Sequence, residues 1–289
     1  MDPLVPPDGK GLYKQMKRRV GLDDPDLRRN ALYWVRTTVY GWGLVGRTLR
    51  LASRAREVAD LGCGSGWLAL ELARRNPQAR IRAIDHDARL LEWARAYYLS
   101  RRDRGPLGEV RHECADLESL EFPPQSLDAA VSFFCLGCLH DPVGLLRRVY
   151  GALRPGGLLV YYEATAPPEL NVGRLGWLWE RRCRWRGEAR DPWGARREVL
   201  AAYLEDAVRR HRPAGAPAEQ ETFDWLRGRF DVMEEVRTRA FVDIFAGRLL
   251  LRESLWRLPL LKLADEVVLA AGLLQGACRF ALARKPWQG

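Results

Sequence analysis

Apolar positions follow two different rhythms along the chain. From about residue 10 to 56 they recur at helical spacing, with Leu27, Ala31, Trp34 and Val35 on one face. Turns are expected there at Gly21–Pro25 and Gly41–Gly46. A short apolar strand then begins at Glu57 and runs into the glycine-dense turn Gly62–Gly66. The next helix turns Leu68, Ala69 and Leu72 inward and stops at Asn76–Pro77. Ile81–Ile84 reads as a second strand ending at Asp85-His86-Asp87, Arg89–Leu99 as a helix, and Arg101–Gly108 as a polar loop. Val110–Glu113 is strand-like, and Leu127–Phe134 is a continuous apolar run suited to a strand buried on both faces. Pro142–Leu153 reads as a helix with proline in its first turn, followed by Arg154-Pro-Gly-Gly157 and a buried strand, Leu158–Tyr162.

Strands alternating with helices at this spacing predict a doubly wound α/β fold with a parallel sheet covered on both faces. After Glu163 the alternation stops. Residues 164–216 hold no clean strand and include an arginine- and tryptophan-dense stretch, Trp177–Trp193. Strand patterns return at Phe230–Arg239 and Cys278–Arg284, separated by a leucine-rich, basic, helical segment at about 241–276.

Composition narrows the class without naming a chemistry. Hydrophobic residues make up 47% and charged residues 29% of the 289, which excludes a wholly disordered chain. The longest apolar stretch, Val267–Ala283, is interrupted by Gln275 and Arg279, so no spanning helix is expected. Pro3, Pro6 and Pro7 with Asp2 and Asp8 do not make a signal peptide, and the six scattered cysteines are expected to be reduced thiols in a cytoplasmic protein. The net charge of +10 is unevenly spread: +7 over residues 1–56, −2 over 57–163 and +5 over 164–289.

The candidate chemistry begins at Gly62-Cys63-Gly64-Ser65-Gly66, where a glycine turn lets backbone pass close to a ligand at the start of a helix. Asp60 sits two residues before the turn. Asp85 lies about 20 residues beyond it, at a strand end where a carboxylate can accept from both ribose hydroxyls. Glu57-Val-Ala-Asp-Leu-Gly-Cys-Gly-Ser-Gly66 closely resembles the first motif of the class I S-adenosylmethionine-dependent methyltransferases. The resemblance continues through Ala83-Ile-Asp85, Cys114-Ala-Asp116-Leu-Glu-Ser-Leu-Glu-Phe122, Leu127-Asp-Ala-Ala-Val-Ser132 and Leu153-Arg-Pro-Gly-Gly-Leu-Leu-Val160.

That resemblance implies a seven-stranded Rossmann-like sheet of order 3-2-1-4-5-7-6 with strand 7 antiparallel. It divides the chain into an N-terminal helical cap (1–50), a cofactor-binding core (51–163), a helical substrate cap (164–216) and a completing segment (217–289) with strands 6 and 7 around the 241–276 insertion. It implies S-adenosyl-L-methionine as cofactor, with S-adenosyl-L-homocysteine as product, and no metal. Asp85 would bind the ribose and Asp116 the adenine amino group, with His86, Leu117 and Phe133 lining the site. Asp60 either bears on the cofactor's amino group or satisfies turn amides. His140, just beyond the fourth strand, is a candidate general base, although many relatives carry a His-His pair at the positions of Gly137 and Cys138. Tyr33 and Trp34, with Tyr13, are candidate covering aromatics, and Glu163 is a substrate-facing group or equally a helix-capping or surface carboxylate. Cys135-Leu-Gly-Cys138-Leu-His140 lacks the second ligand pair a metal site needs.

The expected acceptor is a hydrophobic small molecule methylated at oxygen or carbon, such as a natural product, quinone or lipid-like compound. Trp177, Trp179, Trp185 and Trp193 with the leucine-rich 249–276 segment read as an apolar cap with a cationic rim, which also suits peripheral contact with anionic membrane. The alternatives are an RNA or protein methyltransferase, or a non-catalytic binding or scaffold protein of the same fold. The Lys14-Gln-Met-Lys17-Arg-Arg19 run and the Arg181–Arg190 stretch supply basic residues for a phosphate footprint. No RNA-binding module accompanies them, and the fourth strand lacks an Asn/Asp-Pro-Pro-Tyr signature.

Overall fold

A computed structural model describes residues 42–64, 66–102, 105–165, 215–238 and 258–287. Tyr13, Tyr33, Trp34, Ser65, most of the N-terminal cap, the basic runs and the Trp177–Trp193 stretch lie outside the described residues. Seven strands form one sheet: β1 (Glu57–Leu61), β2 (Arg80–Asp85), β3 (Glu109–Cys114), β4 (Leu127–Phe133), β5 (Leu153–Ala164), β6 (Asp231–Thr238) and β7 (Cys278–Arg284). Their order is β3-β2-β1-β4-β5-β7-β6, with β7 antiparallel to both neighbours and the other pairings parallel, as the resemblance implied.

The described helices are α1 (Trp42–Ala52), α2 (Trp67–Arg75), α3 (Ala88–Arg102), α4 (Pro142–Ala152), α5 (Glu219–Arg227) and α6 (Leu258–Ala270). Two apolar clusters cover the sheet. One joins α1, α2 and alternate strand residues such as Val58, Ile81, Val131, Val160 and Phe280. The other joins α4, α5 and the opposite set, including Leu61, Ile84, Ala130, Leu159 and Ala281. Residues one apart on a strand thus enter different cores, which is why β4 had to read as a continuous apolar run.

From Trp42 on, the turn expected at Gly41–Gly46 is instead the first half of α1, which runs through Gly43 and Gly46. Val45, Leu49 and Ala52 recur on its buried face, and that packing outweighs the modest helix penalty of glycine. The Arg154–Gly157 stretch belongs to β5 rather than to a separate turn. Its pairing with β4 jumps from Leu127↔Leu153 to Ala129↔Leu158, a bulge made feasible by Gly156 at φ 77 with Trp287 packed against it. The helix α5, not assigned from the sequence, carries Phe223 and Leu226 into the second core.

Three polar devices fix α4 and α5. Asp141 caps α4 by accepting the Gly144 amide at 2.7 Å, with Pro142 in the first turn. At the other end Lys285, buried in β7's continuation, donates from Nζ to the carbonyls of Tyr150 and Leu153, both at 2.7 Å. Under α5, Arg279 is almost fully buried against the Phe223 ring, 3.9 Å from guanidinium carbon to centroid, and pairs with Glu219 and Glu235.

Candidate functional site

Parallel strands present their carboxyl ends together, and the chain reverses its winding between β1 and β4. A crevice forms at that switch point, because the connections leaving the two strands diverge to opposite sides. The residues singled out from the sequence and lying among those described, Asp60, Gly62, Cys63, Gly64, Gly66, Asp85, His86, Asp116, Leu117, Phe133, His140 and Glu163, all lie on the last residues of β1–β5 or just beyond.

The three glycines of the first turn are needed for different reasons. All have positive φ (67, 55 and 67 at Gly62, Gly64 and Gly66). A Cβ at Gly62 would lie 2.5 Å from Cys135 Sγ, and one at Gly66 would lie 2.8 Å from the Ala94 Cβ. Those two glycines let the turn pack against the β4 loop and α3. A Cβ at Gly64 would meet nothing within 4 Å. Gly64 thus borders open space, the position at which a ligand can approach the main chain.

The turn is tied to the end of β2. Gly64 N–H donates to Asp85 Oδ2 at 2.8 Å, and Asp87 N–H donates to Asp85 Oδ1 at 3.0 Å. His86 Nδ1 lies 3.5 Å from Oδ1, with the imidazole largely in solvent. Each carboxylate oxygen therefore holds one amide and keeps a lone pair, two acceptors for a diol. Asp60 is buried in β1, in register with Ala83 on one side and Val131 on the other.

The β3 exit supplies the next wall. Ala115 N–H donates to the Asp85 carbonyl at 3.0 Å, so β3 follows β2 into the loop that carries Asp116. The exposed Asp116 accepts the Glu118 amide at 2.9 Å, and Leu117 beside it is buried. Arg148 from α4 donates to the carbonyls of Leu117 and Glu118, at 2.9 and 2.7 Å. Glu118 in turn accepts the His140 backbone amide. The exposed His140 thus sits on a loop joined to the Asp116 segment, as a side chain facing solvent at the crevice edge. Near Gly66, half-buried His112 has its pKa lowered by burial and, less, by the charge of Arg95.

The β4 exit is the least legible part. Phe133 packs edge-on to Tyr162, with centroids 5.4 Å apart, and lies 6.2 Å from the Trp67 ring. Phe134 takes φ 56, a left-handed conformation that costs a bulky residue energy. It turns the chain into the short 3-10 turn Leu136–Cys138. Glu163 holds that turn in place: Oε1 accepts Cys135 and Leu136 N–H, both at 2.8 Å, while Gly137 N–H approaches Oε2 at 3.4 Å. Of the roles open to Glu163, the geometry is that of the cap: buried, with both oxygens turned on backbone amides. Burial pushes its carboxyl up to about 7, against the pull of those amides. The same surroundings push the Cys138 thiol up to about 11, by burial first and then by the charges of Glu163 and Asp85.

Sequence reasoning did not anticipate that Cys135 closes on Gly62 or that Phe134 takes a left-handed backbone. The only sequence signal for the second was a polar helix start, Asp141-Pro142, arriving within seven residues of a buried strand. An adenosyl group with a charged amino acid tail fits the groups present: an unobstructed glycine backbone, a pair of acceptors on Asp85, and the wall of Leu117 and Asp116.

The methyltransferase domain family matches residues 58–157. Over 119 residues the chain is 33% identical to the malonyl-[acyl-carrier protein] O-methyltransferase of Hahella chejuensis, a match spanning 40% of each chain. Over 103 residues it is 37% identical to the trans-aconitate 2-methyltransferase of Deinococcus radiodurans, spanning 36% of each. The chain therefore spans well under half the length of these curated relatives. In fold it is similar to the crystal structure of the YcgJ protein from Bacillus subtilis, with a TM-score of 0.52 at 14% identity, covering 86% of this chain and 100% of that one. Residues 58–157 are thus a methyltransferase domain, and the strand order and first-turn geometry described above are those of the class I S-adenosylmethionine-dependent methyltransferases.

Proposed function

We propose that this protein transfers a methyl group from S-adenosylmethionine to oxygen or carbon of a hydrophobic small molecule. The observation that carries the reading is the open position at Gly64 beside the Asp85 carboxylate, which keeps two acceptors uncommitted. When bound, the cofactor supplies a methyl carbon made electrophilic by its sulfonium. The chain's task is then to hold that carbon in line with a nucleophile and to exclude water. Asp85 fixes the sugar, Leu117 and Asp116 border the base, and Glu163 fixes the Cys135–Gly137 backbone that forms the opposite lip. His140, on the outer edge of that lip, is the candidate base for an acceptor hydroxyl.

Oxygen and carbon acceptors are both represented among the relatives by name. The Hahella relative is a malonyl-[acyl-carrier protein] O-methyltransferase, and a Serratia proteamaculans relative, 32% identical over 115 residues, is a ubiquinone/menaquinone biosynthesis C-methyltransferase. A carboxylate, enol or quinol acceptor is consistent with both. Titration of S-adenosylhomocysteine into the full chain by calorimetry tests the reading, followed by transfer of labelled methyl to a panel of such acceptors. Saturable binding that S-adenosylmethionine competes away is expected. Absence of binding heat together with absence of competition would overturn it.

A further inference from the structure

The helix α6 is inverted. At helical spacing, Leu260, Leu263, Ala264, Val267 and Ala270 share one face, and every one of them is exposed. Leu260, Leu263 and Val267 keep 62%, 58% and 58% of their surface in solvent, and Leu273 just beyond keeps 55%. The opposite face carries Lys262 and Asp265, both buried, with Lys262 Nζ 3.7 Å from Asp265 Oδ2 and 3.6 Å from Glu266 Oε1. A helix on the surface of a water-facing protein does the reverse, turning its leucines in and its charges out. Glu266, also exposed, borders this face beside Ala270, but Leu260, Leu263, Ala264 and Val267 are uninterrupted by charge, and a contiguous apolar patch of this kind marks a surface that meets something apolar.

Two further facts say what that is. The patch leads directly into β7 at the carboxyl edge of the sheet, where Thr165 N–H donates to the Ala277 carbonyl at 2.8 Å and Cys278 pairs with Ala164. It therefore sits on the same edge as the crevice. The whole chain is strongly cationic, +10 in net charge, and the excess lies outside the cofactor-binding part, with +7 over residues 1–56 and +5 over 164–289. A helix of 13 residues is too short to span a bilayer, and among the described residues no helix is long and apolar enough to do so. Leucines outward on a short helix, carried by a cationic protein, are the features of an element that lies in the interface of an anionic membrane.

We propose that the outward face of α6, continued by Leu273, docks on an anionic lipid bilayer. The inference stands on the helix and the charge and is independent of the reaction proposed above. It is tested with the full chain by flotation with vesicles of phosphatidylcholine alone and of phosphatidylcholine with phosphatidylserine. The chain is expected to float with the phosphatidylserine vesicles, more weakly with phosphatidylcholine alone, and less as salt is raised. Leu263→Glu combined with Val267→Glu should reduce the bound fraction roughly tenfold or more. Because both side chains are already exposed, its thermal melting and its binding of S-adenosylhomocysteine should match the parent. Leu273→Glu, outside the helix, gives a second variant should the first fail to fold. A chain that stays at the bottom of the gradient with phosphatidylserine vesicles overturns the proposal, as does undiminished flotation of the folded variants. So does light scattering that finds a dimer which Leu263→Glu/Val267→Glu converts to monomer, since the face would then be covered by a second copy.

Discussion

The backbone amide of Gly64 and the carboxylate of Asp85 meet at 2.8 Å across the first two strand ends. The contact joins the residue that leaves the crevice open to the residue with acceptors to spare, so a single carboxylate both shapes the turn and faces the ligand. Replacing Asp85 therefore has two effects that must be separated. Asp85→Ala removes the acceptor for the Gly64 and Asp87 amides as well as any sugar contact. Asp85→Asn keeps the shape and one acceptor but loses the charge. Losing a hydrogen bond to a charged group costs about 1.5–3 kcal/mol, so Asp85→Asn should weaken S-adenosylhomocysteine roughly ten- to a hundredfold in calorimetry. An analogue lacking both ribose hydroxyls should bind parent and Asp85→Asn alike. Equal weakening of both ligands would remove the sugar contact from the account.

The glycines make a second, sharper comparison. At Gly64 an added methyl meets no neighbour, so Gly64→Ala pays only for the left-handed backbone, about 1–2 kcal/mol of stability. The methyl nevertheless enters the space a ligand would use, and affinity for S-adenosylhomocysteine should fall steeply. At Gly62 the same methyl runs into Cys135 Sγ and Cβ, at 2.5 and 2.7 Å, on a backbone equally unsuited to alanine. Gly62→Ala should cost about 2–5 kcal/mol by thermal or urea unfolding. Trimming Cys135 to alanine should not rescue it, because the Cβ remains in place. Similar stability losses at the two positions would contradict the assignment of Gly64 to the ligand and Gly62 to packing.

These two glycines also mark what the sequence could and could not convey. The β4 run and the end of α2 at Asn76 follow from local periodicity and turn chemistry, which is information carried within a dozen residues, whereas the strand order is implied only by the family resemblance. The Arg154–Gly157 bulge is not legible in the same way, because Trp287, which packs on Gly156, is 131 positions away. The same holds for α1, whose glycines are tolerated because Val45 and Leu49 find the apolar face of α2. At the site, the family motif made Gly62, Asp85 and Asp116 legible as a set, but it could not say which glycine packs and which faces space. The sequence puts Glu163 at a strand end and leaves its role open between substrate contact, cap and surface carboxylate. Only the positions of the Cys135 and Leu136 amides distinguish a loop anchor from an acceptor contact.

Among the described residues, His140 is joined to the cofactor side of the crevice only through its backbone amide, which Glu118 accepts. Its side chain is therefore replaceable without disturbing the loop. His140→Ala should leave S-adenosylhomocysteine affinity and melting temperature unchanged. If the imidazole takes the acceptor's proton, turnover should drop by about a hundred- to ten-thousandfold. A variant that retains full turnover across the pH range would discard His140 as the base.

Glu163 gives the fold a pH dependence of defined sign. Its carboxyl titrates near 7 in the folded protein, above the ordinary carboxylate value of 4.5, because burial disfavours the charge more than three loop amides favour it. Between those two values the native state holds a proton that the unfolded chain has lost. Stability through this group therefore rises as pH falls from 7 toward 4.5, and is level above 7. His112 acts in the opposite direction. Burial and Arg95 lower its pKa below 6.5, so the unfolded chain binds its proton first and stability falls as pH drops below that value. The two partly cancel in the parent, which is why a variant is needed to see either. Glu163→Gln keeps an oxygen for the Cys135 and Leu136 amides and removes the titration. Its urea-unfolding free energy, compared with the parent at pH 5 and pH 8, should show the larger relative gain at pH 8, where the parent carries the buried charge. A gain confined to pH 5, or none at either pH, would mean that the loop amides and not burial dominate at Glu163. Glu163→Ala instead leaves those amides without an acceptor and should cost about 1–3 kcal/mol at both pH values, relative to Glu163→Gln.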